Sequence, residues 1–198
     1  MKNIIFDLGS VLIKNKAISV LDELDLDDNT YNELKRFFND YLELDLGTIT
    51  LEEKYNKCNF SNDINNKYKD YILHYYEHRK YNHDLIDLIN ELKNNNYNVY
   101  VLSDNNQESF DYYKNNQLFK NIDGWIASCE YGAVKEDGKL YQFFLDKYQL
   151  DPKECYMIDD KEINIEEANK YGIIGFVFDE EKDINLLIND MKSNGINI

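Results

Sequence analysis

Short apolar runs alternate with helical spacings along most of this chain. Five apolar runs predict buried β-strands, at residues 3–6, 98–102, 124–127, 155–158 and 175–178. Between the later four runs, apolar residues recur at helical spacing, most clearly over residues 85–92, 140–148 and 164–171, and a last helix is expected over residues 184–191. The alternation predicts an α/β fold with a Rossmann-like parallel sheet covered by helices on both faces.

Residues 15–82 break this alternation. They carry helical spacing, as at Leu34, Phe37 and Phe38, but contain no convincing strand. The segment therefore separates the first strand from the rest of the sheet as a helical insertion. An insertion at this point lies over the carboxyl ends of the strands, where open α/β sheets bind their ligands.

The chain is strongly acidic, with a formal net charge of −16 over 198 residues. That length suits one domain, or one domain with a small insertion. The charge argues against a nucleic-acid partner, and a small anionic substrate would need a metal ion or a local positive patch. No stretch is apolar enough to span a bilayer, and the first residues lack the features of a signal peptide. The scattered Cys58, Cys129 and Cys155 suit reduced thiols, so we expect a cytoplasmic protein without a membrane partner.

Polar residues follow the predicted strands. They are Asp7 after the first strand, Ser103 and Asp104 after the second, Lys135 in the loop after the third, and Asp159 and Asp160 after the fourth. Because the carboxyl ends of parallel strands meet at one edge, we expect these side chains to converge. Several carboxylates repel one another unless a cation holds them, and oxygen ligands suit Mg²⁺. A serine hydroxyl and a lysine would then bind a phosphoryl group, which leaves one carboxylate free to attack phosphorus.

Four short motifs occur in order, "FDLGSVL", "VLSDN", "YGAVKEDGKLY" and "MIDDKEINIEEANKYGI". Across nearly the full chain they resemble the motifs of the haloacid-dehalogenase-like (HAD) hydrolases. The fourth is the most specific, because its acid pair, Asn164, Ala168 and Gly172 fall at the family's spacing. The helical insertion matches the cap of many members, and "DLGTITLEEKY" resembles a common cap segment. The resemblance implies a HAD core of residues 1–14 and 83–198 and a cap subdomain of residues 15–82.

The resemblance also implies a role for each strand-end residue. The nucleophile would be Asp7. The ligands of Mg²⁺ would be Asp7, the backbone carbonyl of Gly9, Asp159 and Asp160. The phosphate-binding residues would be Ser103, Asp104 and Lys135. Lys135 would in addition orient Asp7 and neutralise charge in the transition state. The implied activity is that of a Mg²⁺-dependent phosphatase, which hydrolyses a small phosphorylated metabolite through an aspartyl-phosphate intermediate.

Three positions depart from the usual pattern of the phosphatases. Gly9 stands where most members have a second Asp that protonates the leaving group, a contribution of about 10²–10⁴-fold. A subset that resembles bacterial sugar-1-phosphate phosphatases also reads "DLG" here, so Gly9 predicts a preference for good leaving groups such as anomeric phosphates. Glu136 follows Lys135 in place of Pro and is expected to pair with it. Asp104 follows Ser103 in place of Asn or Thr and adds negative charge.

Two other functions stay open from the sequence. A 2-haloacid dehalogenase would use the same Asp7 on carbon without a metal, and would need an arginine near the cap, for which only Arg36 and Arg79 are present. A non-catalytic or regulatory module on the same fold would account for Gly9 and Glu136. The acid pair at residues 159–160 favours a cation and therefore the phosphatase.

Single motifs also have simpler interpretations. Ser103 could cap a helix that begins near Asn106, and Lys135 could lie in an ordinary exposed turn. The stretch "HYYEH", from His74 to His78, fits the pattern of a zinc metalloprotease helix, but no third ligand is evident. We therefore do not expect zinc there.

Overall fold

A five-stranded parallel sheet forms the centre of the molecule in the computed structural model, which describes residues 1–178 and 184–198. Its strands are β1 (Asn3–Phe6), β2 (Asn98–Ser103), β3 (Gly124–Ala127), β4 (Cys155–Asp159) and β5 (Ile174–Val177), in the spatial order β3-β2-β1-β4-β5. The predicted α/β class and parallel sheet are confirmed. The predicted core range also includes residues 179–183, which lie outside the described residues.

The register of the sheet brings the ends of its central strands to one level. Phe6 of β1 pairs with Val101 of β2 on one side and with Ile158 of β4 on the other. The Asp7 N–H continues this ladder by donating to the Ile158 carbonyl at 2.8 Å. Each strand end then passes directly into a polar residue at the same edge of the sheet.

Burial on both faces explains why the central strands show continuous apolar runs. Ile4 and Phe6 pack into one buried cluster, while Ile5 packs into a second cluster with Met157. Alternate residues of one strand therefore face opposite helical layers. The strand β5 differs from the buried strand predicted at residues 175–178, because it spans Ile174–Val177 and its residues are exposed or only partly buried. Among the described residues it lies at the edge of the sheet and pairs with β4 alone.

Helices cover the sheet and fill the insertion. Those between β1 and β2 are α1 (Asp28–Lys35), α2 (Leu42–Asp45), α3 (Leu51–Lys57), α4 (Asn62–Leu73) and α5 (His83–Asn94), with 3₁₀ turns at Ala17–Glu23, Arg36–Phe38 and Tyr75–His78. The later ones are α6 (Gln107–Lys114), α7 (Ser128–Tyr131), α8 (Lys139–Tyr148), α9 (Glu162–Lys170) and α10 (Ile184–Ser193), with 3₁₀ turns at Gln117–Phe119, Lys135–Asp137 and Pro152–Glu154. Within the described residues no helix has the length and apolar character that crossing a membrane requires.

The two ends of the insertion lie side by side. Ile13 and Tyr81 form an antiparallel bridge, and the Asn82 N–H donates to the Leu12 carbonyl at 2.9 Å. The chain thus leaves the sheet and returns to it at one place. This pairing agrees with a boundary near residues 14 and 83, although the division into a core and a cap subdomain of residues 15–82 stays a prediction.

The "HYYEH" stretch does not form the continuous helix that a zinc motif needs. The helix α4 ends at Leu73, and a 3₁₀ turn follows over Tyr75–His78. The His74 ring lies 3.3 Å from the carboxylate of Asp70, and the His78 ring stacks on Tyr71. Each histidine therefore has a local partner.

A glycine after α2 allows the insertion to approach the core closely. Gly47 has a φ of +67°, and a Cβ there would lie 2.5 Å from the backbone oxygen of Cys129 in α7. This overlap with backbone cannot be relieved by a side-chain rotation. Gly47 is therefore required both for the left-handed turn and for the contact with α7.

We expect Gly47→Ala to destabilise the protein more than Gly195→Ala. Gly195 has a similar φ of +77°, but a Cβ there would meet nothing within 4 Å. The control should lose about 1–2 kcal/mol for the left-handed conformation alone, and Gly47→Ala about 1–3 kcal/mol more for the overlap. Urea unfolding of both variants measures the difference, and equal losses would argue against the close contact.

Candidate active site

A buried lysine lies between two carboxylates at the carboxyl edge of the sheet. Lys135 Nζ is 2.5 Å from Asp159 Oδ2 and 2.9 Å from Asp7 Oδ1. The exposed fractions of Lys135, Asp7 and Asp159 are 1%, 5% and 0%. The predicted convergence of Asp7, Lys135 and Asp159 is thus present in the structure, and Lys135 does not lie in an exposed turn.

The charges of this cluster hold Lys135 in its cationic form. Burial alone would lower the pKa of Lys135, but the carboxylates of Asp159, Asp7 and Asp104 together raise it well above its ordinary value. Its ion pairs are made with Asp7 and Asp159, not with the exposed Glu136. The expected pairing of Glu136 with Lys135 is therefore wrong, because the side chain of Lys135 points inward.

Asp7 keeps an oxygen that can accept a further ligand. Burial raises the pKa of Asp7 to about 7, an effect that Lys135 partly offsets and that Asp159 and Asp160 reinforce. Its buried Oδ1 makes an ion pair with Lys135 but no properly directed hydrogen bond among the described residues. A buried carboxylate oxygen without a hydrogen bond suits coordination by a cation.

The two neighbouring acids after β4 have different environments. Asp159 Oδ1 accepts hydrogen bonds from the Lys161 backbone N–H at 2.9 Å and from Asn164 Nδ2 at 2.8 Å, while its Oδ2 contacts Lys135. Asp160 is only partly buried and lines the central cavity. Burial, together with the charge of Asp159, raises the pKa of Asp160. Asp159 is therefore held in place by protein donors, whereas Asp160 faces the open space.

Three carboxylates could hold a metal ion at this edge. One oxygen each of Asp7, Asp159 and Asp160 lies within 4.8 Å of the others. The donor set is made entirely of oxygen, which fits Mg²⁺. Together with the buried Asp7 oxygen that lacks a hydrogen bond, this geometry fits a divalent cation.

The residues after β2 have separate positions in the site. Ser103 is buried and lines the cavity, and the N-cap of α6 is Asn106, whose side chain accepts from the Ser109 N–H. Ser103 is therefore not the helix cap. Asp104 Oδ1 accepts the Lys135 backbone N–H at 2.9 Å, and burial raises the pKa of Asp104. The side chain of Asp104 thus holds the lysine turn in place.

A cavity of about 340 Å³ opens in front of this cluster. Residues of the sheet edge line it from one side and residues of the insertion from the other, among them Asp7, Lys135 and Asp160, and Tyr41, Asp45 and Arg79. Its volume suits a small metabolite. Gly9 also lines the cavity, and a Cβ at Gly9 would meet nothing within 4 Å.

The sequence predicts that the insertion lies over the site and offers Arg79 as a cap arginine, but it does not single out Asp45, which also lines the cavity. Asp45 ends the short helix α2, and Arg79 follows the 3₁₀ turn Tyr75–His78. Neither residue belongs to a periodic pattern. The one signal for Asp45 in the sequence was its place two residues before Gly47 in the segment "DLGTITLEEKY".

The parallel sheet and the three carboxylates at its carboxyl edge agree with the fold and the acidic site that the four motifs imply. The sequence model of the haloacid dehalogenase-like hydrolases matches residues 1–172. The chain therefore belongs to the haloacid dehalogenase-like hydrolase family, as its motifs predicted.

Solved structures of this family share the fold. A HAD family enzyme from Bacteroides thetaiotaomicron, in complex with magnesium and inorganic phosphate, is 24% identical with a TM-score of 0.71, covering 94% of this chain and 98% of that one. A protein from Porphyromonas gingivalis that is described as a predicted HAD-like family hydrolase is 19% identical with a TM-score of 0.72, covering 97% of this chain and 98% of that one. The L-2-haloacid dehalogenase of Xanthobacter autotrophicus is 13% identical with a TM-score of 0.66, covering 100% and 85%.

Two curated proteins are similar to a short segment of the chain. The bifunctional epoxide hydrolase 2 of Mus musculus and that of Rattus norvegicus are each 31% identical over 58 residues. The matched segment is 29% of this chain but only 10% of the length of those relatives. The similarity therefore extends to a small part of those relatives.

Proposed function

We propose that this protein is a Mg²⁺-dependent phosphatase that hydrolyses small phosphomonoesters through an aspartyl-phosphate on Asp7. The observation that carries the proposal is the buried contact of Lys135 with Asp7, next to the carboxylates of Asp159 and Asp160. A lysine beside a nucleophilic carboxylate and a cation site would together neutralise a phosphoryl group. The strongly acidic chain would otherwise repel such a substrate.

We choose the direct ligands of Mg²⁺ from the oxygen atoms that do not already accept hydrogen bonds from the protein. We assign Asp7 and Asp160 as direct ligands, with the Gly9 backbone carbonyl as a third. Asp159 already accepts from Lys135, Lys161 and Asn164, so its contact with the ion would run through water. When bound, Mg²⁺ supplies positive charge to the phosphoryl oxygens and screens them from Asp7.

The remaining steps belong to residues of the chain. A carboxylate oxygen of Asp7 attacks phosphorus, and the oxygen of the leaving group departs on the opposite side. Lys135 stabilises the charge that develops on the phosphoryl oxygens, and the Ser103 hydroxyl donates a hydrogen bond to one of them. Asp104 acts on this group only indirectly, because it anchors the backbone of Lys135. Water then hydrolyses the acyl phosphate and releases inorganic phosphate.

The similarity to the B. thetaiotaomicron enzyme supports this choice of ligands, because that enzyme was crystallised with magnesium and inorganic phosphate. The size of the cavity favours a small phosphorylated metabolite, and the acidic surface disfavours nucleic acid. The "DLG" sequence keeps sugar phosphates among the candidate substrates.

We expect phosphate release from p-nitrophenyl phosphate and from a sugar-phosphate panel in the presence of Mg²⁺. Adding excess EDTA should abolish it, because three carboxylates without a cation repel an anionic substrate. Adding Mg²⁺ back is the control for damage by the chelator. Tight Mg²⁺ binding without any turnover would instead favour a non-catalytic module on this fold.

One observation keeps a 2-haloacid dehalogenase as a second candidate. Arg79 lines the same cavity as Asp7, and its Nη2 donates to the backbone carbonyls of Lys14 and Asn15, whereas Arg36 pairs with Glu33 and is not among the residues that line the cavity. A cationic side chain near the nucleophile is what this enzyme would need to receive a carboxylate or halide. Asp7 would then attack carbon. Chloride release from 2-chloropropionate in the presence of EDTA would favour this reaction, and phosphate release that requires Mg²⁺ would exclude it as the main activity.

A further inference from the structure

The cavity has open space where the family's usual proton donor would stand. At Gly9 a Cβ would meet nothing within 4 Å, so no other side chain of the described residues has filled that space from the sheet side. A phosphomonoester with a poor leaving group still needs a proton on the departing oxygen. The protein would have to provide that proton from elsewhere in the cavity.

In-line transfer defines where such a donor must lie. The attacking oxygen of Asp7 and the leaving oxygen lie on opposite sides of phosphorus. Asp7 approaches from the edge of the sheet, so the leaving group faces the helical insertion. The insertion offers the cavity a single carboxyl group among the lining residues described, that of Asp45.

Asp45 is held in the cavity by the local backbone. It is the last residue of α2, and two residues later Gly47 brings this segment against Cys129 of the core. Among the described residues, no hydrogen bond or ion pair engages its carboxyl group. A carboxyl group without a partner in a cavity is available to a ligand.

We propose that Asp45 is the proton donor to the leaving group, in the role that Gly9 cannot fill. The inference rests on the proposed phosphatase function. As the Asp7 oxygen bonds to phosphorus, the bond from phosphorus to the bridging oxygen breaks, and that oxygen takes the proton of Asp45 to leave as a neutral alcohol. The Asp45 carboxylate then accepts a proton from the water that attacks the acyl phosphate, which restores the acid and releases phosphate.

The protonation state of Asp45 supports this role. Burial raises the pKa of Asp45 to about 7; the charge of Asp104 adds to the effect, and Lys161 and Lys135 oppose it. An acid with this pKa is available for proton transfer near neutral pH. The groups that face it are Asp7, Asp104, Lys135 and Lys161 on the core side and Tyr41, Tyr75 and Cys129 nearby, with Lys16 and Arg79 in the same cavity.

The test compares kcat/KM for ethyl phosphate and p-nitrophenyl phosphate, whose leaving groups differ in their need for a proton. In Asp45→Asn, kcat/KM for ethyl phosphate should fall by about 10²-fold or more, while that for p-nitrophenyl phosphate stays near wild type. Asp45→Glu should recover part of the loss, because it keeps an acid. Asp25→Asn, at an exposed position of the insertion, is the matched control.

A pH profile provides a readout that a structural role would not change. In the wild type, the ratio of kcat/KM for ethyl phosphate to that for p-nitrophenyl phosphate should fall as pH rises through about 7, as the acid form is lost. In Asp45→Asn the ratio should be flat. Equal losses on both substrates, or no loss on either, would overturn the role of Asp45 while leaving the phosphatase intact. A wild-type protein that hydrolyses neither substrate would refute the proposed function itself.

Discussion

Asp7→Asn is expected to reduce Mg²⁺-dependent phosphate release by on the order of 10⁴-fold or more, the loss typical of removing a catalytic nucleophile. The amide has nearly the volume of the carboxylate but cannot attack phosphorus. The variant should also accumulate no phosphorylated protein when incubated with substrate. Phosphate release and intact-protein mass after acid quenching measure these two effects.

The fold should survive this substitution. Asp7 has a pKa of about 7 in the folded protein, above the ordinary value of 3.8. A raised folded pKa means that its contribution to stability is full below the unfolded value and is lost as pH rises through about 7. An amide has no such dependence. The free energy of unfolding of Asp7→Asn, relative to that of the wild type, should therefore increase as pH rises from acidic to mildly alkaline. Lys135 keeps its contact with Asp159 in the variant.

The control for this experiment is Asp87→Asn, which makes the same chemical change at an exposed position of α5. It should retain wild-type turnover. Undiminished metal-dependent turnover in Asp7→Asn would place the nucleophile elsewhere and end the aspartyl-phosphate hypothesis. Lost turnover together with a lower unfolding midpoint at alkaline pH would contradict the expected gain in stability.

The central strands could be predicted because parallel strands are buried on both faces. The run at residues 3–6 has no polar alternation, as two apolar layers require, and it begins and ends where β1 does. The same signal could not identify β5 as a partly exposed edge strand. An apolar run indicates that a segment forms a strand, but the topology of the sheet decides whether that strand has one neighbour or two.

The acidic edge was also predictable, since strand ends of a parallel sheet must meet. Which hydrogen-bond and ion-pair partner each acid has within this edge could not be predicted. Asp159 and Asp160 are adjacent in sequence, and only the turn into α9 decides that Asp159 accepts from Asn164 and Lys135 while Asp160 faces the cavity. Glu136 was expected to pair with Lys135 because it is the next residue, but successive side chains of a tight turn point in different directions.

The insertion was the least predictable part of the molecule. Apolar spacing near Leu34 and Phe37 fits one helix, whereas the structure ends α1 at Lys35 and continues as a 3₁₀ turn. Over so few residues the two helix types bury nearly the same positions. The approach of Asp45 to the cavity depends on the docking of Gly47 against Cys129, a tertiary contact that no local pattern records.

Lys135→Met should lower both turnover and stability. Turnover should fall by about 10²–10³-fold, because a positive charge at the transferring phosphoryl group is lost. The variant should also lose about 3–5 kcal/mol of unfolding free energy near neutral pH, the typical cost of leaving buried partners of an ion pair uncompensated. Those partners are Asp7 and Asp159, which methionine buries without a counter-charge.

The stability deficit of Lys135→Met should depend on pH and on Mg²⁺. Without the ammonium group, the folded pKa of Asp7 rises beyond about 7, so the folded state binds protons more tightly than the unfolded one. The deficit should therefore shrink as pH falls and grow as pH rises. Mg²⁺ should recover part of it, because a cation that binds only the folded carboxylates stabilises the fold.

Lys139→Met is the matched control, since Lys139 is exposed at the start of α8 only four residues away. It should show neither the loss of turnover nor the dependence on pH and Mg²⁺. Urea unfolding at mildly acidic and mildly alkaline pH, with and without Mg²⁺, separates the two variants. A Lys135→Met deficit that is constant across pH would mean that Lys135 contributes by packing rather than by charge. In that case the ion pair with Lys135 would not control the protonation state of Asp7, on which its proposed role as nucleophile depends.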